Sequence, residues 1–171
     1  ADSYRADRIK EVLGSTNKFS MTEMQALQTD YYSLPAKQLI LLLKNTSSTD
    51  NSIQQAKQLL TGWDYVLSPT SIPATIYVEW ETSLEKNLLK RLSLDTIKWV
   101  RIDFNTQKMI ELLCRPDSTF EKTFNQSRDA ILDQSLQDAL LSLQKKLGPD
   151  WSAWQYGQEK MKHVLIKHPL S

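Results

Sequence analysis

This 171-residue chain contains little glycine, a single cysteine and almost no excess of either positive or negative charge. Only four glycines and six prolines occur, and since turn-rich all-β folds usually need more, the composition favours helices. The single cysteine, Cys114, excludes an internal disulfide and indicates no compartment. Lysine and arginine (21) almost balance aspartate and glutamate (20). Because nucleic-acid binding usually requires a basic excess or stripe, we expect no nucleic-acid partner.

Long apolar runs are also lacking, and none approaches the ~20 residues that a helix needs to span a bilayer. The longest run, residues 39–43, is Leu-Ile-Leu-Leu-Leu, which we interpret as part of a buried helix. We therefore expect no membrane partner. The first residues, from Ala1, do not resemble a signal peptide and pass at once into a polar helical pattern. We expect the chain to be a piece of a longer protein.

Apolar periodicity and capping residues predict an all-α fold, a single helical domain over residues 1–171 with about six to eight helices. Ser20 and Glu23 form a predicted capping box, and we expect the helix that follows to continue through Tyr31 until Pro35 interrupts it. Residues 115–118 are a predicted break, and residues 95–102 can be helical or irregular. The other predicted helices cover residues 3–13, 36–44, 52–61, 73–91, 107–114 and 126–147.

Few residues suggest chemistry of their own. His163 and His168 are five apart, whereas a helical metal pair needs a spacing of three or four, so we interpret both as surface or hydrogen-bonded side chains. Cys114 ends an apolar helix-like run and is predicted to be buried. Four carboxylates would act as acid or base only in a shaped pocket, and by default we expect them on solvated faces and at helix caps. These carboxylates are Asp30, Asp64, Glu79 and Glu81.

Tryptophan is comparatively frequent, with five in the chain. Trp63 and Trp80 lie on apolar helix faces and are predicted core residues. Trp151 and Trp154, with Tyr156, are expected either to cover the end of a helix or to meet another part of a larger protein. From the residues alone, a stand-alone helical interaction or scaffold module without catalysis is as consistent with the chain as any enzyme.

Five motifs follow one another along the chain. They are Arg5-Ala-Asp-Arg-Ile9 continuing to Leu13, Ser20-Met-Thr-Glu-Met24 with Leu27-Gln-Thr-Asp30, Leu59-Leu-Thr-Gly-Trp-Asp64, Ser71-Ile-Pro-Ala-Thr-Ile-Tyr77 with Trp80, and Trp154-Gln-Tyr-Gly157 with His168-Pro-Leu170. In this order they resemble the β-chain of the penicillin acylase family. Together they span nearly the whole chain, although residues 93–125 contribute little. Lys160 departs from the pattern, since some members have a histidine there.

The resemblance implies an N-terminal nucleophile hydrolase of αββα architecture, of which this chain is an internal helical fragment. In that family a precursor cleaves itself and exposes a serine, which attacks an amide with its own α-amino group as base. That serine and the oxyanion asparagine would lie outside this chain, so the isolated chain is expected to be inactive. Arg8, in Ala6-Asp-Arg-Ile9, matches the family's active-site arginine and would be a supporting catalytic residue in the parent enzyme. Otherwise Arg8 is a solvated arginine paired with Asp7 or Glu11, and Arg5 is the candidate if the register is one turn off.

The resemblance further implies cleavage of small N-acyl substrates such as β-lactam side chains or acyl-homoserine lactones, and hence a role in antibiotic degradation or resistance. The partner of this chain would be the remainder of the acylase, made as a self-cleaving zymogen in the periplasm or secreted. Calcium is possible in the parent, but no metal or cofactor is expected in this part of it.

Overall fold

Helices account for the architecture in the computed structural model, which describes residues 3–15, 18–92, 104–115 and 117–161. Eight α-helices occur in those ranges, and the described residues contain no β-strand beyond one isolated bridge. The helices are α1 (Tyr4–Gly14), α2 (Met21–Gln28), α3 (Leu34–Lys44), α4 (Asn51–Thr61), α5 (Ile72–Arg91), α6 (Thr106–Leu113), α7 (Asp117–Phe124) and α8 (Arg128–Leu147). A single 3₁₀ turn follows at Trp151–Ala153. The mainly helical fold class is confirmed, while the single domain over residues 1–171 stays a prediction.

Polar side chains fix where most of these helices begin. Each accepts a hydrogen bond from a backbone N–H of the first turn, which has no partner within the helix. The capping box predicted at Ser20 is complete, because Glu23 also accepts the Ser20 backbone N–H at 2.7 Å. The side chains that cap in this way are Ser20, Ser33, Asp50, Ser71, Asn105 and Ser127.

The core is centred on the packing of α5 against α8, with α3, α4 and α6 around them. Trp80 of α5 is fully buried, and its indole N–H donates to the Leu132 carbonyl of α8 at 3.3 Å. Burying one large apolar side chain contributes about 1.5–3 kcal/mol, so these two helices hold much of the stabilising free energy. The apolar residues of both helices face this core: buried on α5 are Ile76, Tyr77, Trp80, Leu84 and Leu88, and buried on α8 are Ile131, Leu132, Leu136, Ala139, Leu140 and Leu143.

A polar cluster ties the end of α3 to α4 and α8. Lys57 of α4 forms an ion pair with Asp133 of α8 at 2.8 Å, and both side chains are largely buried. The Thr46 hydroxyl donates to Asp133 at 2.7 Å and also contacts the Lys57 ammonium. Charges removed from water need partners of this kind, so the cluster fixes the register of three helices at one point.

The segment after α2 differs from the prediction. The second helix ends at Gln28 and does not continue through Tyr31, which lies in an exposed connection. Pro35 is in the first turn of α3 and does not interrupt a helix. A first-turn residue has no intrahelical use for an N–H, so proline is tolerated there. Residue Tyr32 instead pairs with Val66 in the isolated antiparallel bridge.

A short helix, α7, is missing from the prediction. Its first residue, Asp117, falls inside the predicted break at residues 115–118, and α8 begins at Arg128 instead of residue 126. The signal in the sequence was the spacing of Phe120 and Phe124, which are four apart and pack together, tilted, with ring centroids 4.5 Å apart. Both rings are buried, so the pair anchors α7 to the core.

Cys114 was predicted to be buried, and this prediction is wrong. The helix α6 ends at Leu113, and Cys114 follows as its C-cap with an exposed side chain. The apolar periodicity of Met109, Ile110, Leu112 and Leu113 buries those four residues, and it stops where the helix stops.

Some predictions fall outside the described residues. These are the possible helix at residues 95–102, both histidines and the motif at residues 168–170. In the ranges that are described, no helix is both long enough and apolar enough to cross a bilayer.

Candidate functional site

The Arg8 side chain meets Asp30 between α1 and the end of α2. Its Nε donates to Asp30 Oδ2 at 2.7 Å, and its Nη1 donates to Glu11 Oε2 at 2.9 Å, one turn along α1. The side chains of Arg8 and Asp30 are only 22% and 18% exposed. Half-buried pairs are screened less by salt than surface pairs, so this contact holds a defined geometry. Of the two partners expected for a solvated Arg8, Glu11 is observed.

The aromatic ring of Tyr32 covers one face of the same guanidinium. The Arg8 guanidinium carbon lies 4.2 Å from the ring centroid, within the range of a cation–π interaction. Asp30 therefore holds an edge of the guanidinium while Tyr32 supports its face.

Electrostatics keep this pair charged. Burial alone would raise the pKa of Asp30, but the Tyr32 backbone N–H and the bond and charge of Arg8 outweigh burial and lower this pKa. For Arg8, burial opposes the charged form, yet hydrogen bonds and charges of Glu11 and Asp30 raise its pKa. The site therefore presents a permanent cation, Arg8, beside a carboxylate, Asp30, that stays ionised to lower pH than an ordinary aspartate.

Arg5, the alternative candidate, lies one turn earlier on α1 and has a different set of contacts. Its Nη1 donates to the Asp30 carbonyl at 3.0 Å, and its Nη2 donates to the carbonyls of Leu27 at 3.1 Å and Gln28 at 3.0 Å. The Leu27 and Gln28 carbonyls lie in the last turn of α2, where no intrahelical donor reaches them, and the Asp30 carbonyl follows two residues later. Arg5 thus caps α2, and its guanidinium is committed to backbone.

Two clefts share the Arg8–Asp30 pair in their walls. One, of about 400 Å³, lies between α1 and α2, and its apolar lining includes Val12, Phe19 and Leu27. Another, of about 280 Å³, has Tyr31 and Pro35 among its lining residues. Mostly apolar walls around a few fixed polar groups are typical of small-molecule sites.

A family model described as penicillin amidase matches residues 1–171. The chain belongs to the penicillin amidase family. No curated protein matches it. Membership confirms the resemblance drawn from the five motifs, and it supports an amide hydrolase as the protein in which these helices act.

Within this penicillin amidase family chain, the other candidate carboxylates have structural partners. Asp64 accepts the Val66 backbone N–H at 3.0 Å. Glu79 accepts from Lys146 at 2.6 Å and from the Ser142 hydroxyl at 2.6 Å, which joins α5 to α8. Glu79 is therefore part of an interhelical ion pair and does not lie on a solvated face as expected. Glu81 lies near Tyr77, where burial first and then this carboxylate raise the pKa of the phenol well above its usual value.

The tryptophans after α8 cover the end of that helix. Trp154 is fully buried, stacks on Trp151 with ring centroids at 4.8 Å, and donates its indole N–H to the Gly148 carbonyl at 2.9 Å. This geometry confirms the first of the two roles expected for them. Trp63 and Trp80 are core residues, as predicted, although Trp63 follows the C-cap of α4 and does not lie on a helix face.

The contribution of Tyr32 escaped the sequence analysis, and Asp30 was noted only as part of a motif and as a default surface carboxylate. The available signal was that Asp30 directly precedes two tyrosines, but nothing in the spacing places their rings near α1. As to metals, the described residues contain no group of three or more His, Cys, Asp or Glu side chains arranged to hold an ion.

Proposed function

We propose that this chain is the helical region of a penicillin-acylase-like amidohydrolase that cleaves N-acyl amide bonds in β-lactam side chains, acyl-homoserine lactones or related small amides. The family match over the whole chain supports amide hydrolysis. Arg8 carries the assignment of the site, because it is a fixed cation in the walls of two apolar clefts.

Arg8 would act by supporting the charge that forms during attack on the amide. When a nucleophile adds to the carbonyl carbon, negative charge develops on the carbonyl oxygen, and donors already fixed in place stabilise it without reorganisation. A guanidinium is permanently charged and has donors in a rigid plane, so Arg8 suits this supporting role. The serine nucleophile, its α-amino base and the oxyanion asparagine would come from elsewhere in the enzyme.

The chain by itself is expected to be inactive. A protonated guanidinium has no lone pair with which to attack a carbonyl, so Arg8 can assist a nucleophile but cannot replace one. Exposed apolar side chains on α1 and α2 support docking against the remainder of the acylase: Leu13, Met21 and Met24 are all exposed, Met21 by 77%. For the parent enzyme we propose a periplasmic or secreted location, as the family suggests.

The test is made on the full-length precursor that contains these residues. N-terminal sequencing of the purified protein should reveal self-cleavage that generates a chain beginning with serine. Hydrolysis is then followed with benzylpenicillin and with N-acyl p-nitroanilides of increasing acyl length. We expect Arg8→Ala to lower kcat by roughly 100-fold or more, as when one oxyanion donor is removed.

Arg115→Ala is the matched control, because Arg115 is an exposed arginine after α6. It should leave kcat unchanged. A precursor without serine at the cleavage junction, or an Arg8→Ala enzyme that folds normally and hydrolyses at the wild-type rate, would refute the proposal.

A further inference from the structure

The bridge between Tyr32 and Val66 joins the connection before α3 to the connection before α5. Two backbone bonds form it: Ser33 N–H donates to the Tyr65 carbonyl at 2.9 Å, and Leu67 N–H donates to the Tyr31 carbonyl at 3.0 Å. The bridge therefore fixes the backbone of Tyr32, whose ring lies against Arg8.

An aspartate supports each side of this bridge in the same way. Asp30 Oδ1 accepts the Tyr32 N–H at 3.0 Å, and Asp64 Oδ1 accepts the Val66 N–H at 3.0 Å. Both are turns in which an aspartate bonds to the backbone two residues later. The two differ at the second carboxylate oxygen, because Asp30 Oδ2 accepts from Arg8 Nε at 2.7 Å, a contact that Asp64 does not make.

The ring of Tyr32 also contacts a second aromatic residue. Tyr65 meets it edge-on with centroids 6.0 Å apart, and Trp63 packs on Tyr65 at 5.9 Å. Tyr65 has a φ of 63°, a left-handed conformation that is unfavourable for a residue with a Cβ. Tyr65 therefore links the Tyr32 ring, which lies against Arg8, to the buried Trp63 of the core.

We propose that Asp30 is a positioning residue for the reaction, because one oxygen fixes the edge of the Arg8 guanidinium and the other fixes the Tyr32 backbone beneath it. The inference rests on the proposed function of Arg8. Asp30 sets the plane in which the remaining Arg8 donors lie, and it acts on the substrate only through them. Misplacing a supporting group by about 1 Å can cost roughly 100-fold in rate, so such positioning has a measurable effect.

An asparagine in place of each aspartate separates this role from support of the bridge. Asn has one acceptor oxygen and one donor amide, so Asp30→Asn sets a donor against either the Arg8 Nε–H or the Tyr32 N–H. Asp64→Asn keeps the one side-chain oxygen that is needed to accept the Val66 N–H. Asp30→Ser is a second variant, since a serine hydroxyl can accept the Tyr32 N–H but is too short to reach Arg8.

The experiment measures kcat and KM of the self-cleaved full-length enzyme with an N-acyl p-nitroanilide or benzylpenicillin. We expect Asp30→Asn and Asp30→Ser to lower kcat roughly 10- to 100-fold with little change in KM. Asp64→Asn should stay within about twofold of wild type. In an Arg8→Ala background, Asp30→Ser should have no further effect on kcat, because its only route to the substrate is already lost.

An independent readout follows Arg8 itself. In enzyme labelled with ¹⁵N-arginine, the Arg8 Nε–H should be protected from exchange in wild type and Asp64→Asn, and should lose that protection in Asp30→Ser.

Each failure has its own signature. If Arg8→Ala lowers kcat and Asp30→Ser does not, or if their effects add fully, Asp30 is not a positioning residue while the proposed function stands. Equal losses in the Asp64 and Asp30 variants would assign the effect to the bridge and overturn the inference. If Arg8→Ala leaves kcat unchanged, the proposed function and the inference both fall.

Discussion

Gly157→Ala should destabilise the fold, because Gly157 lies directly on Pro69. Its N–H donates to the Pro69 carbonyl at 2.7 Å. A Cβ added at Gly157 would lie 2.6 Å from Pro69 Cβ, 3.1 Å from Pro69 Cα and 3.2 Å from the carbonyl oxygen. Non-bonded carbons normally approach to about 3.5–4.0 Å, so the backbone would have to separate by about 1 Å.

The magnitude follows from what that separation disrupts. Forcing one extra methyl group into a tight contact costs about 1–3 kcal/mol, and losing the hydrogen bond to Pro69 adds about 1 kcal/mol. We therefore expect the free energy of unfolding to fall by about 3 kcal/mol. For a chain of this length that corresponds to a decrease in Tm of roughly 6–12 °C.

Urea unfolding of the 171-residue chain, followed by tryptophan fluorescence, measures the effect, since the buried Trp154 lies three residues away. Gly14→Ala is the matched control. A Cβ at Gly14 meets nothing within 4 Å, and helical alanine is favoured over glycine by up to about 1 kcal/mol. A Gly157→Ala midpoint equal to or above that of wild type would refute the packing argument.

Two further predictions concern charged residues. Asp133→Ala should lower the free energy of unfolding by about 3 kcal/mol, because it leaves the largely buried Lys57 without a carboxylate partner. Adding Lys57→Met to this variant should recover much of the lost stability. Equal urea midpoints for the single and double variants would contradict this expectation. Because Asp30 has a lower pKa in the fold than its ordinary 3.8, its ionised form stabilises the fold above about pH 4, and this contribution disappears as the pH falls through the lowered pKa. The difference in urea midpoint between wild type and Asp30→Asn should thus be largest at neutral pH and narrow below pH 4, and a gap that is constant with pH would argue against the ion pair.

Local signals predicted the helices well wherever capping and periodicity agreed. Ser71 caps α5, Pro73 follows in the first turn, and the large apolar residues at helical spacing along it are buried. The prediction failed where tertiary contacts determine an end. The continuation of α2 through Tyr31 had acceptable propensity, but the chain leaves the helix to form the bridge at Tyr32, which depends on Val66 34 residues later. Periodicity carries no information about such a partner.

The candidate site was only partly predictable, because local spacing carries no information about contacts between separate helices. Arg8 could be proposed from a family motif, and its ion pair with Glu11 from their spacing of three on one helix. The Asp30 and Tyr32 contacts could not be derived, because they depend on how α1 lies across the end of α2. A helix with no buried residue of its own, such as α1, gives no core pattern from which that packing could be deduced.

The two arginines of α1 show why the motif alone left the choice between them open. They are one turn apart and reach toward the same segment, so spacing gives them equal claims. The contacts arrange them in series: Arg5 caps α2 and binds the Asp30 carbonyl, and the Asp30 side chain in turn holds Arg8. Loss of Arg5 would therefore disturb the position of Arg8 through Asp30, and it would also remove support from the end of α2. Loss of Arg8 would remove the candidate cation itself. Arg8 is the arginine whose removal should affect the chemistry more than the fold.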